Sequence, residues 1–177
     1  MRNTSFFLFG IVLVLVQGHL YRVLHFVPWA GFVPSLQLPM VIFMGVHEYS
    51  VARGAALAFL LGYALDILGI APVGLYTFTN VAIFLLARTA GIRFTAQTLM
   101  SQMGLGGLFA VLQSTMVLVL IAIFGRDAYA PRALYPLMIP HGIASALVAP
   151  VIFAAARAIL PAASMHLRAD ADMRNLG

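Results

Sequence analysis

The sequence predicts an all-α integral membrane protein of six transmembrane helices, with a tight re-entry between the third and fourth. Three observations carry this. The chain of 177 residues is 63% apolar and 8% charged, against roughly 45–50% and roughly 25% in soluble domains. A domain of this length buries only about two-thirds of the surface its unfolded chain exposes, so the apolar surplus must face lipid. The apolar runs also recur at span length, with arginines between them.

The first span runs from about Ser5 to Leu24. Arg2 followed by "SFFLFGIVLVLV" has the basic residue and apolar run of a signal peptide, but "VQGHLYRV" offers no small-residue cleavage site. An uncleaved span is expected, ending near Arg22 and His25, where Pro28 and Trp29 suit an interface. Pro34 opens a second apolar stretch, Ser35 to Val46, closed by "HEYSVAR".

From Gly54 to Ala87 the chain holds 34 residues and a single charge, Asp66. As one helix this segment extends about 50 Å, well beyond a hydrocarbon core of about 30 Å. It must fold back. The turn signal is "GIAPVG", Gly69 to Gly74, because proline cannot continue a helix and glycine permits turn dihedrals. Two short helices follow, about 54–69 and 73–88. A fifth span runs from about Gln97 to Phe124, before the polar connection "GRDAYAPRALYP". The sixth runs from about Leu137 to Leu160, before Pro161. Residues 1–160 thus form one six-helix domain, and 161–177 a short polar cytoplasmic tail. No internal repeat is visible.

All ten basic residues are arginine, against five acids. With a cytoplasmic N-terminus the inner side holds Arg2, Arg53, Arg88, Arg93, Arg157, Arg168 and Arg174, and the outer side Arg22, Arg126 and Arg132. By the positive-inside rule this places both termini in the cytoplasm. The arginines stand singly along the chain, whereas a nucleic-acid surface clusters them with aromatics, so no nucleic-acid partner is expected. Cysteine is absent, which excludes disulfides, thiolate zinc sites and cysteine nucleophiles.

Asp66 is the candidate that matters, one turn from the outer end of the third helix. At helical spacing its face carries Ala55, Ala58, Gly62, Asp66 and Gly69, the small residues that let membrane helices approach closely. The carboxylate therefore points into a helix contact, with Tyr76, Thr77, Thr79 and Asn80 the nearest polar residues on the next helix. Intramembrane acids are functional by default, as relays or substrate contacts. A relay needs a second acid or a histidine on its path, and no other acid lies within a span. The reading favoured is structural: Asp66 pins the turn by accepting hydrogen bonds from amides around Pro72 to Leu75.

Other candidates are weaker. His47–Glu48 opens like a zinc-protease helix, but "HEYSV" lacks the histidine four residues on that would complete the metal pair. His141 shares a face with Ser145 and Ala149, a packing face. Gly104, Gly106 and Gly107, with Gln113 and Ser114 further along, point to close packing in the fifth helix. No nucleophile–base constellation, phosphate loop, carboxylate pair or metal cluster emerges. Neither an enzyme nor a metal or cofactor is expected.

The segment "GYALDILGIAPVGLYTF" resembles the MreD family, the rod shape-determining membrane proteins of bacteria. The pattern is a third-helix glycine, a following aspartate, then proline–x–glycine and a leucine or aromatic: here Gly62, Asp66, Pro72, Gly74 and Leu75. "PSLQLPMVIFMGVHEYSVARGAALAFLLG" is similar to the family's second helix and its short basic link to the third. The resemblance covers about residues 1–160. It departs at Ser35, where the family more often has an acid. It implies a non-catalytic scaffold or regulator of the cell-elongation complex in the inner membrane, controlling cell shape and peptidoglycan synthesis. The partners it implies are an MreC-like single-span protein, the wall synthases and the actin-like filament. The family's helical arrangement in turn resembles the substrate-binding subunits of energy-coupling-factor transporters. That sets the alternative: a small-molecule transporter subunit with Asp66 and outer residues Tyr21, Arg22, Gln37, Arg126, Asp127 and Tyr129 lining a pocket.

Overall fold

The computed structural model describes residues 2–24, 32–46, 50–68, 72–91, 98–124 and 135–174, with backbone alone at 2–3, 21, 24, 90–91, 135 and 160–174. Among these residues the chain is all-helical. The helices are α1 (Arg2–Leu24), α2 (Gln37–Val46), α3 (Val51–Leu68), α4 (Leu75–Gly91), α5 (Leu99–Phe124) and α6 (Met138–Arg174). A 3₁₀ turn, Tyr135–Leu137, leads into α6. Three segments are long and apolar enough to cross a membrane: Val51–Leu68, Leu99–Phe124 and Met138–Ile159. The apolar parts of α1 (Thr4–Leu20) and α2 are shorter. This is the make-up of a membrane protein.

The helix α2 is the axis of the bundle. It packs against each of the other five, which close around it in the order α1, α3, α4, α5, α6. Every residue from Gln37 to Gly45 is buried, as expected of a helix that is apolar on all sides. Ten residues rise only about 15 Å, too little for a lipid-facing span. Along its length α2 is surrounded by the other helices rather than by lipid.

The start of α2 is held from two sides. Gln17 of α1 presents its Oε1 to the Leu36 amide at 2.9 Å and the Gln37 amide at 3.4 Å. The Ser35 amide donates to Ser145 Oγ of α6 at 3.0 Å. These are the orphan donors that any helix start must satisfy, and two neighbouring helices supply the acceptors. His141 completes this clamp, with Nδ1 2.6 Å from the Val33 carbonyl oxygen. A carbonyl only accepts, so Nδ1 carries the proton. Further along, Phe43 of α2 meets Phe153 of α6 edge-on, centroids 5.6 Å apart, and Phe6 of α1 at 6.4 Å.

Small residues set the other contacts. Gly106 and Gly107 of α5 face Ala149 and Ala146 of α6, and Gly142 of α6 faces Val111. Gly104, expected with them, has open space around it. On α5 the buried residues are Gln102, Gly106, Phe109, Ala110 and Gln113, while Leu108, Val119 and Ile123 face outward. Polar groups inside and apolar groups outside reverse the soluble pattern, and lipid is the solvent that permits this.

Two further sequence expectations shift. The sixth helix does not stop before Pro161 but continues as helix to Arg174. A proline withdraws one amide from the ladder and crowds one carbonyl; the alanine, methionine, leucine and arginine residues that follow are good helix formers. Gln37, expected on the outer surface, is wholly buried.

Candidate functional site

The site grows from the start of α4. Leu75 N–H donates to Pro72 C=O at 3.2 Å, closing a four-residue turn with Val73 and Gly74 at its centre. Gly74 takes φ = 101°, the sign that a type II turn requires at its third residue and that glycine alone adopts freely. The Gly74 carbonyl then accepts from Phe78 N–H at 2.9 Å, the first bond of α4. Gly74 is thus the N-cap, and it has no side chain with which to cap.

Asp66 of α3 fills that role from the facing helix. Its Oδ2 accepts from the amides of Gly74 (2.9 Å) and Thr77 (3.0 Å) and from the Thr77 hydroxyl. Its Oδ1 accepts from the Tyr76 amide at 2.9 Å. Four donors converge on a side chain that is 2% exposed. Three of the donors meet Oδ2 and one meets Oδ1, so both oxygens are engaged by the start of α4. The positive end of the α4 dipole adds to the attraction.

Gly62, one turn earlier on α3, allows the approach. A Cβ built there falls 2.6 Å from the Thr77 Cα and 2.6 Å from the Tyr76 carbonyl oxygen. Both are backbone atoms, which cannot rotate aside. Gly62 brings the helices together and Asp66 fastens them. Leu75 is buried beside them. Pro72, Gly74 and Leu75 thus lie in or beside the turn that Asp66 holds, while Gly69 lies outside the described residues.

The other polar neighbours go elsewhere. Thr79 turns its hydroxyl back to the Leu75 carbonyl at 2.8 Å. Asn80 Oδ1 accepts from Gln113 Nε2 of α5 at 3.1 Å, a buried link that spacing within one helix cannot reveal. Spacing is equally silent on the Gln17 clamp on α2, whose one signal is a polar amide within the first span.

Among the described residues no three His, Asp or Glu side chains gather to hold a metal ion. His47, Glu48, Arg126, Asp127 and Tyr129 lie outside the described residues; Arg22 is exposed. Comparison with protein-family models, with curated proteins and with solved structures finds no match to this chain.

Proposed function

We propose that this chain is a non-catalytic membrane scaffold of the MreD kind, a regulator of the bacterial cell-elongation machinery. On this reading it crosses the inner membrane six times with both termini in the cytoplasm. It acts on cell shape and peptidoglycan synthesis through lateral helix contacts with an MreC-like single-span protein. Wall synthases and the actin-like filament join directly or through that partner.

The supporting observation is what Asp66 does. In the segment that carries the resemblance, Gly62, Asp66 and Gly74 serve one packed turn, with the carboxylate committed to four internal donors. That is architecture rather than chemistry. A bundle whose outward faces are apolar offers partners in the membrane a surface for close helix packing, the interaction on which such association rests. The alternative, a substrate-binding transporter subunit, needs polar groups open to the outer side. Asp66 and Gln37, two of its candidate contacts, are both buried.

The test is affinity purification from native membranes in mild detergent, with crosslinking and mass spectrometry. A single-span protein with a periplasmic domain, together with wall synthases, is the expected company. A transmembrane coupling subunit with ATPases in their place would overturn the reading in favour of transport.

A further inference from the structure

The described interior holds amide groups with no partner. Gln37 is fully buried at the start of α2, and neither its Oε1 nor its Nε2 is hydrogen-bonded. Asn80, also fully buried, commits Oδ1 to Gln113 and leaves Nδ2 bare. Native interiors answer such groups with protein or with ordered water.

The two amides stand at one height. Short connections join α2 to α3 and α3 to α4, so both neighbours run antiparallel to α3 and parallel to each other. Gly45 of α2 rests on α4, where a Cβ would lie 2.9 Å from both the Phe84 carbonyl oxygen and the Ala87 Cβ. Eight residues back from Gly45 is Gln37; the same count back from residues 84–88 reaches 76–80. Asn80 also lies two turns before Ala87, on the face of α4 turned towards α2. Helices in contact through a glycine sit at the close end of roughly 8–10 Å separations.

We infer that Gln37 and Asn80 hold one or two buried waters between α2 and α4. The three bare atoms are one acceptor, Gln37 Oε1, and two donors, Gln37 Nε2 and Asn80 Nδ2. That set selects the guest. A metal ion is repelled by the amide donors, and a simple anion has no proton for Oε1. A water molecule gives and accepts, and three polar partners are what a buried water ordinarily makes. Asp66 is already engaged by the α4 turn. The axial helix is therefore wetted at its start.

Two measurements test this on the full chain. In deuterated lipid vesicles, water-edited solid-state NMR of protein labelled with ¹⁵N in its side-chain amides reads contact with water. Rapid transfer from water to the Gln37 and Asn80 amides is expected, each signal assigned by its loss in Gln37→Met or Asn80→Leu. In detergent, each single variant should lower the melting temperature, and the double variant should lower it by less than the sum, because both remove the same water. Absent transfer together with a higher melting temperature for Gln37→Met means bare amides and overturns the inference. Additive melting shifts overturn a shared site, and so does a signal that disappears on exhaustive delipidation, which marks a co-purified organic hydroxyl.

Discussion

Replacing Asp66 by asparagine changes one atom of the carboxylate and tests the pinned turn directly. Placed with its oxygen at the Oδ2 position, asparagine keeps the Gly74 and Thr77 donors but turns an NH₂ group towards the Tyr76 amide. A buried donor left bare costs about 1–3 kcal/mol, and each remaining bond weakens by roughly 1 kcal/mol when its acceptor loses charge. The gross loss is about 5 kcal/mol. Against it stands the relief of no longer holding a charge in the membrane, at most about 3 kcal/mol, the insertion-scale value at a helix centre, whereas Asp66 lies near a helix end. The net is a destabilisation of at least roughly 2 kcal/mol, a fall in melting temperature of about 4–8 °C or more. Asp66→Ala abandons all four donors and should fall about twice as far. Thermal unfolding followed by size-exclusion chromatography in mild detergent reads both. An Asp66→Asn protein that melts with or above the wild type, with Asp66→Ala no lower, would refute the pinning role.

Three further outcomes follow from the packing. Gly62→Ala should lower the melting temperature, because its Cβ meets backbone at 2.6 Å, whereas Gly104→Ala, with nothing near it, should be neutral or raise it through helix propensity, by about 1 kcal/mol; equal effects in the same melt would discard the close-approach argument. Gly74→Ala should cost about 1 kcal/mol or more for its φ of 101°, although a Cβ there has free space; an unchanged melting temperature would count against the strained turn. Ser145→Ala should cost about 1 kcal/mol by leaving the Ser35 amide without its acceptor, and faster hydrogen exchange at Ser35 would show the loss locally.

Much of this was legible in the chain because it depends on local rules. The fold-back between α3 and α4 follows from a run too long for one crossing, and the turn's place from Pro72 and Gly74. The direction of Asp66 follows from the small residues on its own face. Spacing along one helix does not show what stands opposite. It could not reveal that α2 is axial, since an apolar run looks the same whether lipid or protein surrounds it. For the same reason Gln37 read as an outer residue, Gly104 as a packing residue, and the Gln17 and Asn80–Gln113 links not at all. Helix α6 outran its expected end because proline disfavours helix without forbidding it.

The proposal of six crossings requires that α2, only ten residues long, carry the chain from one side of the membrane to the other. The chain has no cysteine, so single cysteines can be introduced and labelled in whole cells with a membrane-impermeant maleimide. Cysteines replacing Pro28 and Asp127 should react from outside, and those replacing Glu48, Ala96 and Asn175 only after the membrane is permeabilised. Reaction of the Pro28 and Glu48 positions from the same side would contradict six crossings and leave α2 as a re-entrant plug.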